Sequence, residues 1–120
     1  MFKIYGLGRL VADPELQEIK SGEGKSTYVA RFTLASNEYR KVNDEKVTYT
    51  SFFDCEVWDT GAKALCDIVQ KGDLIAVTGR PRQNKWETPD GDKRSRIIFR
   101  IEEFDLARKA AKNEQQSDEQ

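Results

Sequence analysis

At 120 residues the chain is one domain, long enough for a core of its own and too short for two. Charged residues make up 34% and hydrophobic ones 38%, which fits a small, soluble, highly hydrated fold rather than a disordered chain; a formal net charge of -1 and a pI of about 5.6 exclude a global basic field, so any polyanion site has to be a local patch. The chain has no histidine, which removes the commonest general base and metal ligand and excludes catalytic triads, His-held zinc and Cys-His nucleophiles.

Residues 2–11 are a short apolar segment broken by Gly6 and Gly8 and followed by Asp13-Pro14-Glu15-Leu16. The glycines predict a bent or bulged first strand, or a close backbone approach, and Pro14 a turn after it. A GxG with no helix behind it is a poor phosphate loop. Residues 19–24, with Ser21, Gly22 and Gly24, read as a loop or hairpin tip. Residues 26–36 alternate as a second strand, with Ala30, Phe32 and Leu34 toward the core and Val29, Arg31, Thr33 and Ala35 outward. Residues 37–46 are polar and form a protruding arm that turns at Asn43-Asp44.

Residues 48–58 are rich in β-branched and aromatic side chains and free of Gly and Pro, so they predict a third strand. The period then changes. Thr60 is placed to cap a helix with Ala62, Leu65, Ile68 and Val69 on its buried side and Cys66 near the edge, and Gly72 ends it. Residues 74–80 predict a fourth strand. A second arm covers residues 80–96 and reverses at Thr88-Pro89-Asp90-Gly91, and residues 97–106 are the last strand. From Arg108 onward Ala, Lys, Glu, Gln, Ser and Asp dominate, a composition that is helical for a turn or two and then disordered.

Three strands, one helix and two strands, without sustained βα alternation, predict an all-β fold with one helix. The expected architecture is a five-stranded OB-fold, a Greek-key β-barrel, with two protruding β-hairpin arms. Residues 1–106 form the domain and 107–120 a short polar tail. No apolar run approaches the ~20 residues of a membrane span, and no signal-peptide pattern opens the chain. Cys55 and Cys66 match no metal motif and are too few for a disulfide scaffold, so they are expected to be small buried hydrophobes in a reducing cytoplasm.

The third strand sorts its side chains into two faces. Phe53, Cys55 and Val57 look like core, whereas Phe52, Asp54, Glu56 and Trp58 share the other face with Thr48 and Thr50. Two large rings among charged and hydroxyl neighbours suit solvent or a flat partner, or else packing under a loop or into a subunit interface. Trp86 lies mid-arm in a basic ribbon: residues 79–100 hold Arg80, Arg82, Lys85, Lys93, Arg94, Arg96 and Arg100 against Glu87, Asp90 and Asp92. Single-stranded nucleic acid offers phosphates and exposed base faces, and a sequence-tolerant binder needs cations along a groove and rings for stacking.

The chain resembles the bacterial and phage single-stranded DNA-binding protein (SSB) family. The resemblance rests on Gly8-Arg9-Leu10 with Asp13-Pro14-Glu15-Leu16, on Ala30-Arg31-Phe32-Thr33-Leu34-Ala35, and on Cys55-Glu56-Val57-Trp58 running into a helix. Lys71-Gly72-Asp73 and Gly79-Arg80-Pro81-Arg82 leading to Trp86 and Asp90-Gly91 complete it, over about residues 1–106. It implies an OB-fold, a homotetramer with a dimer as the alternative, and non-enzymatic binding and protection of single-stranded DNA in replication, recombination and repair. The family's base-stacking positions fall on Tyr39, Phe52, Trp58 and Trp86, and Tyr39 is identified by the resemblance alone. Basic positions that match its binding arm are Arg82, Lys85 and Arg94, and Arg31 and Arg80 complete the candidate DNA-binding set.

Two departures carry expectations. Asp54 and Glu56 stand between Phe52 and Trp58 where family members more often carry basic or neutral residues, so binding is expected to be weaker or more salt-sensitive unless Arg31 or another cation pairs with them. The tail ends Ser117-Asp118-Glu119-Gln120, without the acidic, hydrophobic tip of relatives that recruit replication proteins. Recruitment through it is therefore not expected, as suits a phage or mobile-element origin. No cofactor or membrane partner is expected. Two competing readings use the same residues: an OB-fold protein-interaction or assembly subunit, akin to a primosome accessory, and a metal-dependent nuclease site at Asp54, Glu56 and Asp59.

Overall fold

The alternation of apolar and polar residues becomes, in the computed structural model, which describes residues 1–111, six strands and one helix. They run β1 (Ile4–Leu10), β2 (Glu15–Lys20), β3 (Ser26–Val42), β4 (Glu45–Trp58), α1 (Thr60–Ile68), β5 (Leu74–Glu87) and β6 (Lys93–Arg108). β1 pairs antiparallel with β5, and β5 with β6. β6 lies parallel to β4 through Cys55↔Phe99 and Glu56↔Arg100. β4 pairs antiparallel with β3, which returns to β1 through Arg9↔Ala35 and Leu10↔Leu34. Five strands thus close a ring, the OB-type barrel expected from the order of elements.

Closure brings β1 close to β3 at Gly8. A Cβ there would stand 3.0 Å from the Ala35 carbonyl oxygen and 3.1 Å from Leu34 Cβ, so a larger residue would require the neighbours to give by a few tenths of an ångström. Inside the ring Leu10, Phe32, Leu34, Val57, Ile75, Val77 and Ile101 pack together, and α1 adds Ala62 and Leu65 with Val69 just beyond it. Cys55 belongs to this core; burial first, and the neighbouring Asp54 carboxylate second, push its thiol up to about 12.

Both arms are continuations of barrel strands. The first turns at Asn43 (φ 52°) and Asp44 (φ 65°), the two positive φ values of a two-residue type I′ hairpin, between Val42 and Glu45. The second turns over Thr88-Pro89-Asp90-Gly91, where the Gly91 N–H donates to the Thr88 carbonyl at 2.9 Å and Gly91 takes φ 88°.

Several local expectations are corrected. Residues 15–20 are a sixth strand, β2, laid outside the ring against β3 from Glu15↔Arg31 to Lys20↔Ser26. Val29, expected outward, is fully buried, because Gln17 of β2 and Trp58 of β4 flank it. Phe53, expected in the core, is 40% exposed. Pairing of β1 with β3 stops at Ala35, so no strand covers the Phe53 ring; it meets Phe99 edge-on at 5.7 Å beside a cavity of about 430 Å³ lined by Ile4, Leu7 and Leu34.

Thr60 is the first residue of α1 and the cap position is Asp59, at φ 63°, which makes no side-chain cap bond. Its carboxylate instead accepts from the Thr27 hydroxyl. The helix ends at Ile68, which is exposed, and Gly72 (φ 87°) serves the following turn. β6 runs to Arg108, and Lys109 and Ala110 are tied to Asp73. The expectation for the end of the tail falls on residues 112–120, outside the described residues. No helix among those described is long and apolar enough to cross a membrane.

Candidate nucleic-acid interface

Strand parity and register decide which side chains meet outside the barrel. The β3–β4 register sets Tyr39 opposite Thr48, Ala35 opposite Phe52, Thr33 opposite Asp54, Arg31 opposite Glu56 and Val29 opposite Trp58. The parallel step from Glu56 to Arg100 carries this face onto β6, where alternation adds Arg94, Arg96 and Ile98. The β5–β6 register then brings in Arg80, Arg82, Asn84 and Trp86 opposite Arg100, Ile98, Arg96 and Arg94. One continuous outward face therefore spans four strands and both arms. It holds eight of the nine residues expected in the site, and Lys85 falls on the reverse side of the second arm.

The rings differ in what they present. Phe52 is 65% exposed, Tyr39 61% and Trp86 47%. The Lys46 ammonium lies 4.6 Å from the centre of the Tyr39 ring. Trp58 is half-buried; its Nε1 is buried without a hydrogen-bond partner among the described residues, and the Arg100 guanidinium carbon stands 5.4 Å from its ring centre.

The two carboxylates on this face do not stand alone. Arg96 Nη2 donates to Asp54 Oδ2 at 2.8 Å, and the Thr33 hydroxyl donates to Asp54 Oδ1 at 3.1 Å. Glu56 is 4% exposed, and its Oε1 accepts from Arg100 Nε at 3.3 Å with Arg82 Nη1 at 3.7 Å. Arg31, although opposite Glu56 in the ladder, donates to Gln17 of β2 instead. Arg80 pairs with Glu102 at 3.3 Å and Arg94 with Asp92 at 4.0 Å. A buried carboxylate between two guanidiniums leaves its cluster with a net positive charge; the cations that pair with the two carboxylates are Arg96, Arg100 and Arg82 rather than Arg31.

Asp54, Glu56 and Asp59 therefore serve separate partners, and among the described residues no three acidic, Cys or His side chains gather where a metal ion could sit. Arg96 and Arg100 are the residues that sequence reasoning left out of the site. The signal was present: Arg94, Arg96, Ile98 and Arg100 alternate as one face of a strand. A shallow cavity of about 250 Å³ opens on the same surface between Arg31, Asp54, Glu56, Arg96 and Ile98.

The sequence and the fold are similar to those of known proteins. The chain is 34% identical over 100 residues to the single-stranded DNA-binding protein of Borreliella burgdorferi, covering 82% of this chain and 64% of that protein. It is 33% identical over 106 residues to the namesake protein of Clostridium perfringens, covering 88% and 65%. The chain thus spans a little under two thirds of the length of these relatives. Its fold is similar to the crystal structure of a deletion mutant of the single-stranded DNA binding protein from Thermus aquaticus, with TM-score 0.71 and 21% identity over 88% of this chain and 50% of that one. The model of the single-strand binding protein family matches residues 1–107, and the chain belongs to that family.

Proposed function

We propose that the protein binds single-stranded DNA without marked sequence preference, by electrostatic capture on the arms followed by base stacking along the four-strand face. The observation that carries this reading is the continuity of the face: Tyr39, Phe52, Trp58 and Trp86 lie on one surface, interleaved with Arg31, Arg80, Arg82, Arg94, Arg96 and Arg100. Rings take base faces of any identity and arginines take phosphates, so affinity needs no base-edge readout. Lys85, on the reverse side of the arm, adds charge where a strand wraps past the tip. Residues 1–106 are the binding domain and residues 107–120 a tail. The activity is non-enzymatic, and the setting is the cytoplasm, where single strands arise in replication, recombination and repair.

Assembly into a homo-oligomer, a tetramer before a dimer, belongs to the same reading. Its support is exposed apolar surface: Tyr5 is 76% exposed and Leu7 51%, both lining the cavity beside Phe53, and Ile97 is 58% exposed. The test is tryptophan fluorescence during titration with oligo-dT at low and high salt, with light scattering alongside. Quenching with a stoichiometric break, weakened by salt, is expected and gives the site size. A stable oligomer without quenching or binding at low salt would assign the rings to a protein interface instead.

A further inference from the structure

We propose that the shallow cavity between Asp54 and Arg96 reads one nucleobase, a cytosine, through the carboxylate of the first and the guanidinium of the second. This rests on the reading of the face as a single-strand DNA site and deepens it, adding one base-selective position to a surface that is otherwise tolerant. Phe52 and Asp54 are successive outward positions of β4, about 7 Å apart along the strand. The β3 neighbour of Phe52 is the small Ala35, and the Phe52 ring is 65% exposed. At Asp54 the cavity of about 250 Å³ opens, with Arg96, Thr33 and Ile98 among its walls. DNA that stacks a base on Phe52 therefore passes the next base over Asp54.

The charge of the cavity selects a base over a phosphate. Its lining carries Asp13, Glu15, Asp54 and Glu56 against Arg31 and Arg96, so it does not draw in a phosphate, whereas a neutral ring with an amino group is welcome. Asp54 is held in place by the Thr33 hydroxyl at 3.1 Å on Oδ1 and by Arg96 Nη2 at 2.8 Å on Oδ2, and its side chain is 48% exposed. A carboxylate accepts about four hydrogen bonds, so both oxygens keep capacity for a further donor. The matching group on a base is an exocyclic amino group, and cytosine carries its N4 amino beside the acceptor N3. With N4 on Asp54, N3 meets the remaining N–H groups of Arg96. Thymine has the same ring size but puts the O4 carbonyl where cytosine has N4. Its one ring donor, N3–H, is recessed between two carbonyl oxygens that the carboxylate repels. The shallowness of the cavity favours the single ring of cytosine over a purine.

The experiment compares wild type and D54N by anisotropy of labelled oligo-dC and oligo-dT of equal length, at one salt concentration and neutral pH. The readout is the ratio of the two affinities, which cancels the gain that both strands receive when D54N frees Arg96. The wild-type ratio of oligo-dC to oligo-dT affinity is expected to fall about fivefold in D54N, the lower end of the range for one base-edge contact. A ratio unchanged within about twofold would overturn the proposal. The second probe alters the DNA instead of the protein: oligo-dC built with N4,N4-dimethylcytosine lacks the amino hydrogens. It is expected to lose affinity relative to oligo-dC on wild type and much less on D54N. An equal loss on both proteins would place the amino group away from Asp54 and would also overturn the proposal. An Asp54-dependent advantage larger for oligo-dA than for oligo-dC would assign the cavity to a purine and overturn the choice of cytosine. Binding of neither oligo-dC nor oligo-dT by the wild-type protein at low salt would instead remove the single-strand reading, and this inference with it.

Discussion

At the scale of single residues, charge pairing decides how the face behaves. Asp54 is half-exposed and holds Arg96 at 2.8 Å, so one cation of the face is engaged before any DNA arrives. Replacing Asp54 by Asn frees that guanidinium for a phosphate. Asp54→Asn is expected to bind oligo-dT more tightly at low salt, with a log-log salt slope steeper by about 0.7, the value for one additional phosphate contact on a single strand. Stability should change by no more than about 1 kcal/mol, because the pair is exposed and screened. Weaker binding by this variant would mean that the pair holds Arg96 in place rather than silencing it. Among the described residues Trp86 has no such partner: it is 47% exposed, opposite Arg94 across the arm. Trp86→Ala is expected to lose about 1–3 kcal/mol of DNA affinity with the oligomer unchanged in light scattering. Dissociation of the oligomer with DNA affinity retained would assign the ring to an interface.

At the scale of elements, the second arm and the barrel meet at Gly79. The β5–β6 register shifts between Thr78 and Gly79, and a Cβ on Gly79 would stand 2.2 Å from the Arg100 carbonyl oxygen and 2.9 Å from Ile101 Cα. Backbone cannot yield as a flexible side chain does, so Gly79→Ala is expected to destabilise the fold by about 1–3 kcal/mol or more, read from urea unfolding. It should also weaken DNA binding, since the shift displaces Arg80 and Arg100; unfolding at the wild-type midpoint would contradict this account of the bulge. The strands around this point were legible in the sequence because alternation is local: Ala30, Phe32 and Leu34, or Cys55 and Val57, announce their face within five residues. The turns at Asn43-Asp44 and Thr88-Pro89-Asp90-Gly91 were legible for the same reason. β2 was not, since Glu15 to Lys20 is a short, charged outer strand whose Leu16 and Ile19 do not alternate. Nor were the burial of Val29 and the pairing of Glu56 with Arg100, which depend on neighbours supplied by other strands, in the latter case 44 residues away. The eight residues of the site that share a face could be grouped only once the four-strand register was known.

At the scale of the whole molecule, one buried carboxylate ties together the parts of the chain farthest apart in sequence. Asp73, 1% exposed, accepts from the Gln70 N–H at 2.9 Å and the Ala110 N–H at 2.7 Å, with Lys109 Nζ at 3.4 Å. Its carbonyl accepts from the Leu10 N–H at 3.1 Å, and the Leu10 carbonyl accepts from the Gly72 N–H at 2.8 Å. Lys109 also donates to the Ile68 carbonyl at 2.7 Å. The first barrel strand, the end of the helix and the root of the C-terminal segment are thus fastened at one point. Burial pushes the Asp73 carboxyl up, but the two N–H donors and the Lys109 ammonium outweigh it and hold the group below its ordinary 3.8. A carboxylate whose folded value is depressed binds its proton more readily in the unfolded chain. Its contribution is therefore complete above about 3.8 and is lost as pH falls through the lower folded value. Asp73→Asn keeps the shape but removes the charge that two N–H groups and an ammonium address. At neutral pH it is expected to cost about 1–3 kcal/mol, measured by urea unfolding at one fixed protein concentration because oligomerisation shifts apparent stability. The gap between wild type and variant should stay level from pH 8 to 5, to about one pH unit above the ordinary value, and close at more acid pH. A gap that already narrows between pH 7 and 5 would point to a titrating group other than Asp73. A gap that persists well into acid would mean that the clasp works through shape and not through charge.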